Sequence, residues 1–238
     1  TTPVRTSNQA IKELSKQLKE TVLTGKFNSI KEVPGSIEYL SDEQAEQYIN
    51  NYQNMSHNNQ IICYSNNRVL DYNSHIRQLR GLSNEFCSGE LLTSNNMTRS
   101  ITKEKVSTEG KVRVVSKGDD YTVHLDDFKL DCYQLITDRG IFLVPYSMDE
   151  YKELIKYFSK EKKWNEVFYL KENIADFRQS DASTVYKSQG SSYDEVFIDL
   201  SDIGSCRNPD IVARMLYVAV SRARNKVYLY GDLPEKYK

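Results

Sequence analysis

The stretch from Ser183 to Tyr230 constrains the fold more than any other. A short strand, S-T-V-Y, is followed by an apolar strand, D-E-V-F-I-D-L (Asp194–Leu200), then a helix opening at Asn208-Pro209, then a closing strand, K-V-Y-L-Y (Lys226–Tyr230). The helix carries Ile211, Val212, Met215, Leu216 and Val220 on one side, the spacing of a buried face, and proline suits its first turn. Strands alternating with a buried helix form an α/β layer structure around a parallel sheet. The same style appears earlier. Gln60–Ser65 (Q-I-I-C-Y-S) reads as a buried strand, Asn66-Asn67 as a turn, and Val69, Tyr72, Ile76 and Leu79 as the inner face of a helix. Upstream, Ile11, Leu14, Leu18 and Val22 predict a helix from Thr6, with Thr6 and Gln9 as its capping box and Gly25 as its stop. A second helix is expected over Asp42–Tyr52, opened by Ser41 and Gln44 and buried through Ala45, Tyr48, Ile49 and Tyr52.

Character changes near Gly89. G-E-L-L-T, G-K-V-R-V-V-S, Y-T-V-H-L, D-C-Y-Q-L-I-T and I-F-L-V-P-Y are short strands separated by turns. Val112 and Val114, and then Tyr121, Val123 and Leu125, alternate with polar residues at period two. Strands at this spacing predict a small barrel. Ser147–Lys163 reads as an amphipathic helix with Tyr151, Leu154, Ile155 and Phe158 inward. The expected organisation is therefore an α/β domain in two parts, 1–88 and 181–238, interrupted by an inserted small β-barrel with a helix over 89–180.

Composition narrows the function. The 238 residues hold 32 Lys plus Arg against 33 Asp plus Glu, a net charge of -1, so any nucleic-acid contact must come from a local patch. Mean hydropathy is -0.63, and no apolar run is long enough for a membrane helix. The four cysteines are scattered without a C-x-x-C pair, which argues against zinc and for reduced, mostly buried thiols. No metal site is expected. The chain opens on Thr1 without a leader and reads as a piece of a longer protein.

The chemistry concentrates in two segments: T-V-Y-K-S-Q-G-S-S-Y-D-E-V-F-I (Thr184–Ile198) and M-L-Y-V-A-V-S-R-A-R-N-K-V-Y-L-Y-G (Met215–Gly231). In the first, a strand ends in a polar loop whose glycine lets backbone N–H groups approach an anion. In the second, Arg222 and Arg224 follow a buried helix, where a guanidinium can meet phosphate with a rigid fork of donors. Together the segments resemble motifs V and VI of superfamily 1 helicases, in the RecD/Dda-like branch. Tyr186 stands where that branch usually has histidine. T-P-V-R-T-S-N-Q-A-I (Thr2–Ile11) and I-I-C-Y-S-N-N-R-V-L-D-Y-N (Ile61–Asn73) resemble two further segments of the branch, in the same order. G-x-x-x-x-G-K-[ST] is absent from the chain, so the loop that cradles ATP phosphates and its magnesium must come from elsewhere.

The resemblance implies the UvrD-like C-terminal motor half of an ATP-dependent DNA helicase. Its fold would be a RecA-like parallel sheet interrupted by a Src-homology-3-like barrel. ATP and Mg would be bound mainly by an upstream RecA-like ATPase domain. Arg222 and Arg5 would reach the γ-phosphate as arginine fingers, and Gln189 and Gly190 would line the nucleotide cleft. Ser65, Asn66, Thr184, Tyr186, Lys187 and Ser188 would contact single-stranded DNA, with movement 5′ to 3′. Arg224 is read as structural, and the chain alone, lacking the phosphate loop, is expected to be inactive. Replication or recombination proteins would be its partners, without a membrane, in the cytoplasm of a bacterium or a phage-infected cell. Two alternatives stay open: an RNA-directed superfamily 1 helicase, which Ser188–Val196 also fits, and a non-catalytic nucleic-acid-binding module on a degenerate motor fold.

Overall fold

Successive side chains of a strand point to opposite faces, and the central strand β2 (Asn59–Cys63) is buried along its whole length. Ile61 and Cys63 pack with the helices of one face, and Ile62 with those of the other. In the computed structural model, which describes residues 6–52, 58–82 and 85–238, β2 lies in a five-stranded parallel sheet. The order is β1 (Ile37–Leu40), β12 (Ala223–Tyr230), β11 (Tyr193–Asp199), β2, β10 (Ala182–Thr184), with numbering that runs along the whole chain. Helices cover both faces. On one, α1 (Gln9–Thr24) and α7 (Pro209–Val220) bury Ile11, Leu14, Leu18, Val212, Met215 and Leu216 against Ile62, Val196, Ile198 and Val227. On the other, α2 (Asp42–Asn51) and α3 (Asn66–Leu79) cover Ile61, Cys63, Phe197 and Tyr230. A short helix α6 (Leu200–Gly204) follows β11 directly.

Local chemistry sets the helix ends. Ser41 and Gln44 form the expected capping box, and Asn208 caps α7 ahead of Pro209. Gly25 ends α1 in the left-handed conformation, φ 71°. The start of α1 differs from expectation. Asn8, not Thr6, is the cap, its carboxamide oxygen accepting from Ala10 N (3.0 Å) and Ile11 N (3.4 Å). The Thr6 hydroxyl instead donates to the Arg224 carbonyl. The buried face of α3 is also rotated from the expected one: Asn73, Ile76 and Arg77 are inside and Leu79 is exposed. Asn73 explains the rotation. Its side chain gives and takes hydrogen bonds with the Ala182 backbone (3.2 and 2.8 Å), acting as a short extra strand beside β10.

The chain divides into two compact units: Thr1–Gly81 with Asp181–Lys238, and Leu82–Ser180. Within the first, Arg80 and Asp181 form a two-pronged ion pair (2.9 and 2.8 Å), which ties the point where the chain leaves to the point where it returns.

The second unit is antiparallel. Its five-stranded sheet runs β8 (Gly140–Pro145), β7 (Phe128–Thr137), β6 (Lys111–Leu125), β3 (Leu91–Ser94), β9 (Phe177–Gln179). A separate ribbon pairs β4 (Thr98–Arg99) with β5 (Lys105–Val106). The two edges of the larger sheet approach one another, since Leu143 of β8 bridges Ile174, just ahead of β9. Leu92, Val112, Val114, Leu135 and Phe142 fill one core. The opposite face, through Leu130, Cys132 and Leu143, packs under α4 (Met148–Lys160) and α5 (Trp164–Asn173). No described helix is long and apolar enough to cross a membrane.

Candidate functional site

A parallel sheet gathers the carboxyl ends of its strands at one edge, where α/β proteins place their ligand contacts. Here β2 and β10 are neighbours, with Cys63 opposite Thr184 and Val185 N donating to the Cys63 carbonyl at 2.8 Å. The chain leaving β2 is Tyr64-Ser65-Asn66. The chain leaving β10 is a run of turns, Val185–Gly190. Ser65, Asn66, Thr184, Tyr186, Lys187 and Ser188 thus start from one edge of one unit.

Their side chains are not equivalent. Asn66 is exposed in the first turn of α3, and Tyr186 is 57% exposed. Thr184 and Ser188 are buried, and they shape the turn from inside. Lys187 N donates to Thr184 Oγ1 (3.3 Å), Ser188 Oγ to the Val185 carbonyl (2.7 Å), and Ser188 N to the Thr184 carbonyl (3.0 Å). Ser65 caps α3 by accepting from Arg68 N (3.2 Å) while its hydroxyl donates to Asp202 (2.7 Å). The same Asp202 carboxylate accepts from the backbone of Tyr64 (2.6 Å) and Ser65 (2.8 Å).

Arg222 lies at the other edge, just before β12, where Tyr193 N donates to its carbonyl (2.9 Å). It is 8% exposed. Its guanidinium donates to the Val218 carbonyl (3.1 Å), the Ser191 carbonyl (3.2 Å) and Ser221 Oγ (2.8 Å). Gln189 and Gly190 are exposed just ahead of Ser191. Gly190 has φ 98° with open space where a Cβ would stand, and its conformation favours glycine. Arg224 pairs with Asp194 at 3.6 Å. Arg5 lies outside the described residues. Two described positions nearby in sequence, Thr6 and Asn8, are bonded to Arg224 and Asn225 at the start of β12, the same edge as Arg222.

One group escapes the sequence reading. Asp199, fully buried at the end of β11, accepts from Arg68 Nε (2.7 Å), Tyr72 OH (2.9 Å) and Asp202 N (3.0 Å). Burial, then the Asp199 charge, pushes the Tyr72 phenol above its ordinary pKa. Partial burial works against the Arg68 charge, but the bond to Asp199 together with the charge interactions of Tyr72, Asp199 and Cys63 outweighs it and raises the guanidinium pKa. The only sequence signal was a carboxylate closing an apolar strand. Among the described residues no cluster of three His, Cys, Asp or Glu could hold a metal ion.

Residues 179–230 match the family of UvrD-like helicase C-terminal domains, which bears out the resemblance to the C-terminal half of a superfamily 1 helicase. The match takes in the turn after β10, all of α7 and Arg222. No curated protein matches the chain. Among solved structures, the chain is similar to the Pif1 helicase from Bacteroides in complex with ADP-AlF3 and ssDNA, at 12% identity and TM-score 0.49, over 100% of this chain and 52% of that one. It is also similar to the Pif1 helicase from Candida albicans, at 12% identity and TM-score 0.46, over 97% and 55%. A third is the C-terminal domain of a possible DNA helicase from Lactobacillus plantarum, at 11% identity and TM-score 0.41, over 99% and 92%. The chain spans about half the length of the two Pif1 helicases.

Proposed function

We propose that the chain is the C-terminal motor half of an ATP-dependent DNA helicase or translocase of the Dda-like kind. Its parallel unit would be the second RecA-like domain, and residues 89–180 the inserted Src-homology-3-like barrel. The observation that carries the reading is Arg222. A helicase-matched segment delivers a cation to the edge of the sheet and holds it there by the Ser191 carbonyl, one residue beyond Gly190. Water does not reach this fork freely, so its charge is worth more to an incoming anion than that of a surface arginine.

ATP with magnesium, held mainly on an upstream RecA-like domain, supplies the phosphoryl group whose transfer drives the motor. Arg222 exchanges a protein oxygen for a γ-phosphate oxygen and stabilises the charge spread over it, with Arg5 as the second donor. Gln189 and Gly190 line the nucleotide cleft, where the lack of a side chain at Gly190 lets a phosphate approach closely. At the opposite edge Asn66, Tyr186 and Lys187 contact the backbone and bases of single-stranded DNA without reading sequence. Ser65, Thr184 and Ser188 hold these loops in shape. Separating the two functions to opposite ends of one rigid sheet lets a change at the nucleotide reposition the strand grip. Movement 5′ to 3′, replication or recombination partners, and a cytoplasmic setting in a bacterium or phage-infected cell follow from the same reading.

The test is Arg222→Ala in the complete enzyme. ATP turnover falls by about a thousandfold, while single-stranded DNA binding stays within twofold or so of the parent, since the DNA contacts lie at the other edge. Normal turnover in this variant removes Arg222 from the mechanism. Competition between matched DNA and RNA strands decides the substrate, because only RNA offers a 2′-hydroxyl.

A further inference from the structure

Helices α2 and α3 leave an open groove between them, wholly within the parallel unit. Asp42, Ala45, Glu46 and Ile49 line it from α2, and Arg68, Asp71, Tyr72 and His75 from α3. Both sets are spaced three, one and three apart, so each is a single stripe of its helix. Phe197 of β11 and Tyr230 of β12 close the groove on the sheet side, and its volume is about 430 Å³.

Its chemistry is divided. The base is apolar, with Ala45, Ile49 and Phe197 buried. Half-buried Tyr72 and Tyr230 add two aromatic side chains. The rim is acidic, since Asp42, Glu46 and Asp71 are exposed. Asp42 accepts from Tyr230 OH (3.2 Å). Among the described residues it has no cationic partner, and Glu46 and Asp71 make neither hydrogen bond nor ion pair. α2 contains no lysine or arginine. The arginine of the groove, Arg68, is paired with Asp199 at 2.7 Å. Three carboxylates therefore line the groove without a compensating cation.

These properties select the occupant. A carboxylate rim repels the phosphates of a nucleic acid. An arginine with apolar neighbours matches both parts of the groove. Its guanidinium meets the carboxylates, while its stem and planar face lie on apolar and aromatic side chains. The groove holds one such pairing of its own: the Arg68 guanidinium stands 4.9 Å from the centre of the Tyr72 ring while it bonds Asp199. Arginine is also enriched, and lysine depleted, where proteins meet. An opening that runs between two helices admits a segment of chain, whereas small-molecule sites enclose most of their ligand.

We propose that the α2–α3 groove is a docking site for an arginine-bearing segment of a partner protein, with guanidinium groups met by Glu46 and Asp71 and apolar side chains laid against Tyr72 and Tyr230. None of these residues is assigned to nucleotide or strand contact, so the site does not rest on the motor reading.

The experiment titrates the isotope-labelled 238-residue chain with the acetylated, amidated peptide Leu-Arg-Leu-Arg-Leu at about pH 8 and follows backbone amide resonances. Control peptides carry citrulline or glutamate in place of arginine. The proposal expects saturable shifts confined to α2 and the first half of α3, lost with both controls. Glu46→Gln combined with Asp71→Asn weakens binding by about fivefold, and Glu46→Lys abolishes it. Both positions are exposed, and circular dichroism confirms that the variants fold. An absence of binding, shifts elsewhere, or binding that ignores the charge changes overturns the proposal. Agmatine, a free alkylguanidinium, binding as tightly as the peptide makes this a small-cation site and also overturns it. Self-association that Glu46→Lys abolishes assigns the groove to a second copy of the chain, with the same consequence. In the complete enzyme, Glu46→Gln with Asp71→Asn leaves ATP turnover and DNA binding unchanged. Arg222→Ala leaves peptide binding unchanged, so the motor reading and this one fail separately.

Discussion

At the scale of single residues, two carboxylates organise the edge of the sheet where DNA is proposed to run. Asp202 holds the backbone of Tyr64 and Ser65 and the Ser65 hydroxyl, and Asp199 holds Arg68, Tyr72 and the start of α6. A phosphate that bonds Ser65 directly must therefore compete with Asp202. Asp202→Ala should cost about 2–3 kcal/mol, since it removes charge-assisted hydrogen bonds from a half-buried turn. The urea midpoint measures this. Affinity for single-stranded DNA in the same variant shows whether the freed donors take up phosphate. Motif spacing pointed to Asn66, Lys187 and Arg222 as candidates in the sequence, because each sits in a contiguous string with a chemical pattern. Asp199 and Asp202 were not legible, because the residues they serve lie 131 and 137 positions away. Only the fold brings them together.

At the scale of elements, turns that look alike in sequence differ in what surrounds them. Gly25 and Gly231 both have positive φ, but a Cβ on Gly25 meets nothing within 4 Å, whereas one on Gly231 would stand 2.0 Å from Ser201 Oγ. Gly25→Ala should cost about 1–2 kcal/mol through backbone conformation alone. Gly231→Ala should cost at least about 2 kcal/mol more, because packing around α6 must also shift. Thermal or urea unfolding of the two variants tests the difference. Strands β2 and β11 and helices α2 and α7 could be read from their apolar periodicity and caps, because burial on both faces of a parallel sheet leaves unbroken apolar runs. β1 was missed. It has four residues, lies at an edge and buries only Ile37 fully, with Tyr39 exposed and Glu38 and Leu40 half-buried, so no period stands out. α5 was missed because Trp164, Phe168 and Tyr169 point outward and blur its apolar stripe. The start of α1 and the buried face of α3 shifted because Asn8 and Asn73, polar in any periodicity count, take structural hydrogen bonds.

At the scale of the whole molecule, buried tyrosines bear on stability at high pH. Burial pushes the phenols of Tyr133 and Tyr151 up to about 12, from an ordinary value of 10.0, and raises those of Tyr48 and Tyr52 as well. The unfolded chain therefore releases these protons first. Their contribution is full below pH 10 and declines as pH rises through the interval toward 12. Circular dichroism alongside tyrosinate absorbance should show unfolding and ionisation advancing together in that interval. Ionisation complete before the fold is lost would contradict the burial. The proposed function rests on a division of labour, in which this chain would supply Arg222 and a strand grip and the phosphate loop would come from elsewhere. The most direct measurement is ATP turnover by the chain alone, with and without excess single-stranded DNA at low salt. The account predicts no turnover together with salt-sensitive DNA binding. DNA-stimulated turnover by these 238 residues would place the phosphate site inside the chain and contradict the account.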